Sequence, residues 1–132
     1  MKYLLDTHVW VLWNAQPESL SHKVLKILSA PEESDEFLLS ALSVWEFSQL
    51  LASNRLGLAC SAEEWIRRAL DHPNLRLAPL SPAIAYQATV LPEALAGDWV
   101  DQILVATARE ENATLLTQDP ALLAYRHVRA VW

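Results

Sequence analysis

Short apolar runs alternate with helical segments along almost the whole chain. Apolar runs of strand length predict β-strands at residues 2–5, 37–40, 75–78, 114–117 and 128–132. The segments between them carry apolar residues at helical spacing, and several open at a helix-capping residue such as Ser21, Ser61 or Ser81. This alternation predicts an α/β fold with a central parallel sheet and helices on both of its faces.

The predicted helices span residues 8–15, 21–30, 43–54, 61–72, 82–91 and 98–109, and a short one opens at Asp119-Pro120. The third is predicted to begin at Ser43, because Ser43-x-x-Glu46 is a capping-box pattern, and to run to about Asn54. Pro82 after Ser81 fits the first position of the fifth helix.

Length and composition favour one folded domain spanning residues 1–132. Hydrophobic residues make up 52% of the chain, and the net charge of −6 restricts any polyanion binding to a local patch. Cys60 is the only cysteine, which excludes an internal disulfide and fits a reducing compartment. No signal-peptide pattern and no apolar run near 18 residues is present, so we expect a cytoplasmic protein that does not span a membrane.

Acidic residues recur near the ends of the predicted strands. Asp6 follows the first strand, Glu46 lies on the helix after the second, Asp98 and Asp101 open a helix, and Asp119 follows the fourth strand. Carboxyl ends of parallel strands share one edge of the sheet, where ligands of such folds bind. Crowded carboxylates repel unless a cation compensates, and Mg²⁺ and Mn²⁺ prefer oxygen ligands. Such a site can hydrolyse phosphodiester bonds with a metal-activated water.

Each acidic residue also has a structural interpretation. Glu46 fits a capping box with Ser43, Asp98 and Asp101 fit an N-cap and a first-turn acid, and Asp119 before Pro120 fits a cap. Asp6 is the hardest to explain in this way, because a carboxylate that closes a buried strand is costly without a partner. Their joint placement favours a shared site.

Four segments carry a resemblance to a known family: Leu4-Leu5-Asp6-Thr7-His8, Ser43-Val44-Trp45-Glu46, Asp98 to Ala106, and Leu116-Thr117-Gln118-Asp119-Pro120. In order and spacing they resemble the four motifs of PIN-domain ribonucleases, and above all the VapC-type toxins of bacterial toxin-antitoxin pairs. The resemblance implies a Rossmann-like sheet with strand order 3-2-1-4-5 and Mg²⁺- or Mn²⁺-dependent cleavage of RNA. It also implies an antitoxin protein as partner and a homodimer.

The resemblance assigns roles to six residues. Asp6, Glu46 and Asp101 would form the metal-binding and catalytic set, Asp119 would complete the catalytic set, and Asp98 and Thr7 would assist. Relatives of this kind usually carry Arg after the third-motif Asp and before the fourth-motif Asp, where this chain has Gln102 and Gln118. The carboxylates would then be less compensated by positive charge, which puts activity in question.

Two other functions remain open: a housekeeping RNA-processing nuclease, and a catalytically silent PIN fold that binds RNA or protein. His8 is interpreted as a local hydrogen-bonding residue, because the other histidines show no ligand spacing with it. Several Trp on helices near the first and third motifs indicate an apolar groove that a partner covers. Solvated helix faces are the favoured interpretation of the basic residues that might otherwise guide RNA, which are Lys23, Lys26, Arg55, Arg67, Arg68 and Arg76.

Overall fold

A five-stranded, all-parallel sheet forms the centre of the computed structural model, which describes residues 1–53 and 57–132. Its strands are β1 (Lys2–Leu5), β2 (Glu36–Ser40), β3 (Leu75–Ala78), β4 (Thr114–Leu116) and β5 (Ala130–Val131). Their spatial order is β3-β2-β1-β4-β5, with each neighbouring pair parallel, which confirms the predicted fold class and strand order. The predicted helix end at Asn54, and Arg55 beside it, lie outside the described residues.

Helices connect the strands. Within the described residues they are α1 (Thr7–Ala15), α2 (His22–Ser29), α3 (Ala41–Ala52), α4 (Ala62–Leu70), α5 (Pro82–Thr89), α6 (Trp99–Glu110) and α7 (Pro120–Ala124), with a 3₁₀ turn at Pro17–Ser19. Ser21, Ser61 and Ser81 cap α2, α4 and α5 as predicted, each accepting the N–H of the residue three positions on. None of these helices is both long enough and apolar enough to cross a membrane.

Helix α3 begins two residues earlier than predicted. Its N-cap is Ser40, whose hydroxyl accepts the N–H of Leu42 at 3.2 Å. Ser43 is therefore inside the helix, where it is fully buried, and Glu46 lies in the second turn. The predicted capping box between Ser43 and Glu46 is wrong, so capping does not explain why an acid stands at position 46.

The strands bury both faces of the sheet. Leu5, Phe37, Leu39 and Leu116 point to the face covered by α1, α2, α3 and α4. The alternate residues Leu4, Leu38 and Leu115 point to the opposite face, against α6 and α7, while α5 packs on α6. Burying each such Leu stabilises the fold by about 1.5–3 kcal/mol, which explains why a parallel sheet reads as apolar runs without alternation.

The strand register brings three polar residues to one level at the carboxyl edge. Leu5 is paired with Leu39 of β2 on one side and with Leu116 of β4 on the other. The residues that follow, Asp6, Ser40 and Thr117, therefore leave the sheet side by side, and Asp6 N–H donates to the Leu116 carbonyl at 3.0 Å. All three are buried.

Candidate active site

A cavity of about 520 Å³ opens at this carboxyl edge. All six residues predicted for the site line it, together with five neighbours: Asp6, Thr7, Glu46, Asp98, Asp101 and Asp119, then His8, Val11, Leu12, Leu50 and Gln118. The structure thus brings together residues that lie up to 113 positions apart in the chain, from Asp6 to Asp119.

Asp6 is the most buried carboxylate of the site, with 6% of its surface exposed. It is the N-cap of α1, and its Oδ1 accepts the N–H of Thr7 at 2.7 Å. Its Oδ2 accepts the hydroxyl of Thr117 at 2.7 Å. These donors offset part of the cost of burying a carboxylate and hold its position between β1 and β4.

Thr117 is a site residue that the sequence prediction did not assign. Its side chain is fully buried; its hydroxyl donates to Asp6 and accepts the N–H of Asp119 at 3.1 Å. One hydroxyl therefore fixes two of the predicted acids. The register between β1 and β4 reveals this role of Thr117. Leu116 pairs with Leu5, so the next residues, Thr117 and Asp6, lie side by side.

Thr7 links α1 to the helix that carries Glu46. Its hydroxyl donates to the buried hydroxyl of Ser43 at 2.9 Å, and Glu46 lies three residues further along α3. Burial raises the pKa of the Glu46 carboxyl above its ordinary value, and the negative charges of Asp6 and Asp98 raise it further, against opposing effects of the Thr7 hydroxyl and His8.

Asp98 and Asp101 form a reciprocal capping box at the start of α6. Asp98 Oδ1 accepts the N–H of Asp101 at 3.0 Å, and Asp101 Oδ2 accepts the N–H of Asp98 at 3.2 Å. Burial raises the pKa of Asp101 to about 6, and the charges of Asp98, Asp6 and Asp119 contribute to this shift. The predicted capping role is correct, and it coexists with a place in the cavity.

Asp119 caps α7, where its Oδ1 accepts the N–H of Ala121 at 2.9 Å. His8 joins the first and fourth motifs, since its Nε2 accepts the N–H of Gln118 at 3.1 Å and its Nδ1 lies 3.6 Å from Asp6 Oδ2. This is the local hydrogen-bonding role expected of His8. Gln118, which lines the cavity, places an amide where the resemblance leads one to expect a positive charge.

The cavity collects negative charge without a cationic side chain to balance it. Five carboxylates line it, and none of the lining residues in the described part of the chain is Lys or Arg. In residues 1–53 and 57–132, no group of three or more His, Cys, Asp or Glu lies close enough together to hold a metal ion as placed. Such an arrangement favours either protonation, as the raised pKa values of Glu46 and Asp101 show, or association with an added cation.

The tryptophans differ in exposure, from the buried Trp10 to the half-exposed Trp45 and Trp99. Trp10 is fully buried in the core, in edge-to-face contact with Phe47 and Trp65. Trp45 and Trp99 instead remain about half exposed and contact each other, with ring centroids 5.5 Å apart, next in sequence to the site acids Glu46 and Asp98. The predicted Trp-lined surface is thus limited, among the described residues, to this exposed pair.

Comparison with known proteins identifies the family. A family model described as PIN domain matches residues 3–128, which is nearly the whole chain. The chain therefore belongs to the PIN-domain family. Its sequence is 34% identical to ribonuclease VapC22 of Mycobacterium tuberculosis over 128 residues, covering 97% of this chain and 95% of that protein, and this similarity assigns it to the VapC type.

Solved structures share the fold at lower sequence identity. VapBC2 from Rickettsia felis, bound to a DNA fragment from its promoter, has a TM-score of 0.74 at 15% identity and covers 99% of this chain and 98% of that chain. VapBC-1 from nontypeable Haemophilus influenzae has a TM-score of 0.68 at 17% identity and covers 99% and 97% of the two chains. A toxin-antitoxin complex from Klebsiella pneumoniae has a TM-score of 0.66 at 19% identity, covering 98% and 96%. At this level of identity the likeness concerns the fold.

Proposed function

We propose that this protein is a Mg²⁺- or Mn²⁺-dependent endoribonuclease, acting as the toxin of a toxin-antitoxin pair. The observation that carries the proposal is the convergence of five carboxylates, from four separate segments, on one cavity at the carboxyl edge of the sheet. The similarity to a protein named ribonuclease VapC22 supports the reaction type.

In its chemistry the donor set suits a hard divalent cation, which would have to draw three of these carboxylates closer together than they lie in the described residues. Asp6, Glu46 and Asp101 offer carboxylate oxygens in a cavity with no compensating Lys or Arg among its described lining residues. A bound Mg²⁺ or Mn²⁺ would supply a more acidic water and stabilise negative charge developing on a phosphate. Asp6, Glu46 and Asp101 are the residues proposed to hold it.

The remaining residues would position the site. Asp119 commits Oδ1 to the cap of α7, so its Oδ2 is the oxygen proposed to accept a hydrogen bond from the attacking water. Asp98 holds Asp101 in place through the capping box, and Thr7 holds the α3 backbone near Glu46 through Ser43. The Thr117 hydroxyl orients Asp6.

An antitoxin protein is the proposed partner. Structures of similar fold include toxin-antitoxin complexes, which supports a partner of this kind. The half-exposed pair Trp45 and Trp99 gives such a partner an apolar contact beside the cavity. The homodimer implied by the resemblance remains a proposal, which sedimentation of the purified chain tests directly.

RNA cleavage tests the reaction. Purified protein without antitoxin is incubated with total RNA in Mg²⁺, in Mn²⁺ and in EDTA, alongside the variants D6N and D101N. We expect discrete fragments with the wild type in either metal, and none in EDTA or with either variant. The matched control is E63Q, which neutralises an exposed acid on α4 and should cleave like the wild type. Equal cleavage by D6N, D101N and E63Q would contradict the assignment.

A catalytically silent PIN fold that binds RNA or protein is the second candidate. It is favoured by Gln118 in the cavity lining and by the spacing of the carboxylates, of which no three in the described residues are close enough to hold a metal ion as placed. A wild-type protein that binds RNA in the same experiment and leaves it uncut in both metals would select this function.

A further inference from the structure

A second cavity lies at the opposite edge of the sheet, where β4 and β5 begin. It has a volume of about 480 Å³, and Arg109 at the end of α6 and Arg126 and Arg129 before β5 line it. Because the sheet is parallel, this amino edge faces away from the carboxylate cavity at the carboxyl edge. The basic cavity, as we call it, is therefore separate from the candidate active site.

The basic cavity concentrates positive charge in an acidic protein. Three of the ten Lys and Arg residues of a chain with net charge −6 line this one cavity. His127 lines it too, and its buried Nε2, which forms no hydrogen bond among the described residues, lies 3.4 Å from Glu93 Oε1.

Two of these arginines are held by neutral acceptors. Arg109 donates to the His127 carbonyl at 2.6 Å, and Arg129 donates to the carbonyl and Oδ1 of Asn112 at 3.0 and 2.8 Å. Within residues 1–53 and 57–132 neither forms an ion pair, while Arg126 pairs with Glu93, which also lies 3.4 Å from His127 Nε2. Of the three guanidinium groups, only that of Arg126 pairs with a carboxylate.

The other arginines in the described residues are compensated by acids. Arg67 and Arg68 both pair with Glu64, and Arg76 pairs with Glu36 and Glu111. These contacts agree with the predicted solvated helix face for Arg67 and Arg68, whereas Arg76 lies on strand β3. The excess of positive charge at the basic cavity is therefore a local feature.

We propose that the basic cavity binds a phosphate group of an RNA strand, as a second contact for the RNA that the carboxylate site is proposed to cut. The guanidinium fork matches phosphate oxygens in pairs, and hydrogen bonds to Asn112 and His127 hold two of the forks in position before a ligand arrives. The inference rests on the proposed ribonuclease function for the identity of the strand.

An acidic peptide would use similar charges, but the lining argues for a phosphate. Protein interfaces are anchored by large apolar side chains, and none of the large exposed apolar side chains of the described residues lines this cavity. Phosphate recognition needs only the charged donors that are present.

The test compares two charge-matched double variants. Anisotropy of a dye-labelled RNA hairpin is measured in EDTA, with a gel to confirm that the RNA stays intact, for the wild type, R126Q/R129Q and R67Q/R68Q. We expect R126Q/R129Q to weaken binding by about tenfold and R67Q/R68Q by less than about twofold. Thermal unfolding of each variant is recorded, and R126Q alone provides a variant that leaves the contact between Arg129 and Asn112 intact.

Three further measurements separate phosphate binding from a structural role. The slope of log affinity against log salt concentration should fall by about one in R126Q/R129Q, for the one phosphate contact that is lost. E93Q removes the carboxylate that faces Arg126 and His127 and should strengthen RNA binding. Inorganic phosphate should shift the Arg side-chain NMR signals of the wild type and not those of a protein lacking Arg126 and Arg129.

The outcomes distinguish this inference from the ribonuclease proposal. Three results would overturn the basic cavity as a phosphate site. They are an equal loss of RNA binding in the two double variants, binding of poly-glutamate (a model acidic peptide) in preference to RNA, and the absence of both RNA and phosphate binding by the wild type. Wild-type cleavage of RNA in Mn²⁺ would in those cases leave the ribonuclease proposal standing. Selective loss of binding in R126Q/R129Q with no cleavage by the wild type in either metal supports the basic cavity and contradicts the nuclease.

Discussion

Asp101 combines a structural and a proposed functional role in one carboxylate. It completes the capping box of α6 and also contributes an oxygen to the acidic cavity, where its pKa is raised to about 6. The two roles are compatible, because Oδ2 accepts the cap hydrogen bond while the negative charge of the carboxylate remains. A cap identified in the sequence therefore does not exclude a site residue.

The pKa of Asp101 predicts a pH dependence of stability in the metal-free protein. The folded chain keeps this proton up to about pH 6, whereas the unfolded chain releases it at about pH 3.9. The free energy of unfolding should therefore fall as pH rises from about 4 to 6, where the folded state binds more protons, and level off above that range. Denaturant unfolding in EDTA from pH 4 to 7 measures this.

D101N isolates the contribution of this one residue to the pH dependence. Its amide oxygen can still accept the cap hydrogen bond, so the variant should fold, but it no longer titrates. The decline in stability between pH 4 and 6 should be smaller in D101N than in the wild type, with the remaining decline including the contribution of Glu46, whose pKa is also raised. An unchanged pH profile would show that Asp101 titrates normally.

The hydrogen bond from Thr117 to Asp6 is expected to stabilise the fold. In T117V the buried Oδ2 of Asp6 loses its hydroxyl donor, and an unsatisfied buried acceptor costs about 1–3 kcal/mol. T117S keeps the hydroxyl and removes one methyl group, so its loss should be smaller, about 1 kcal/mol. Urea unfolding at pH 7 compares the two variants with the wild type. Equal stability of T117V and the wild type would mean that the hydrogen bond to Asp6 contributes nothing.

At the scale of elements, the sequence identified the strands and most of the helix caps from local chemistry. Ser21, Ser61, Ser81, Asp98 and Asp119 all cap the helices predicted to follow them. The predicted start of α3 is two residues late because Ser40 and Ser43 are both good capping residues. Ser40 is the observed cap, and Ser43 instead accepts a buried hydrogen bond from Thr7, 36 residues away, which local patterns do not show.

The role of Thr117 was missed for the same physical reason. Its hydroxyl bonds to Asp6 across 111 residues of chain, and only the register between β1 and β4 brings the two together. Local sequence predicted that acids would gather at the carboxyl edge, since strand ends are visible in the sequence. The hydroxyl groups that orient those acids depend on side chains from neighbouring strands and helices.

Gly97 lies close to the Asp101 carboxylate at the start of α6 and leaves no room for a larger side chain. A Cβ added at Gly97 would lie 2.5 Å from Asp101 Oδ2, so G97A must displace that carboxylate from the Asp98 N–H. We expect a loss of about 0.5–2 kcal/mol in stability, as for a lost cap, and weaker binding of Mn²⁺. G57A is the matched control, because nothing lies within 4 Å of a Cβ at Gly57. Thermal unfolding and Mn²⁺ titration of both variants give the comparison, and equal behaviour would contradict the crowding at Gly97.

At the scale of the whole molecule, the sheet separates two opposite charges. Five carboxylates line the cavity at the carboxyl edge, and three arginines line the basic cavity at the amino edge. The net charge of −6 hides this division, because the acids and bases are counted together. The placement of charge on the fold therefore matters more for function than the net charge does. The two proposed sites together require an RNA long enough to reach both edges of the sheet.

The measurement that tests the central claim most directly is calorimetric titration of the metal-free protein with Mn²⁺, for the wild type, D6N and E63Q. Asp6 is the most buried acid of the site and accepts hydrogen bonds from Thr7 and Thr117, and E63Q removes one negative charge from an exposed position on α4. We predict saturable binding by the wild type and E63Q, and an affinity reduced by about tenfold or more in D6N. Absence of saturable binding in the wild type, or equal affinity in D6N and E63Q, would contradict the assignment of the carboxylate cavity as a metal site.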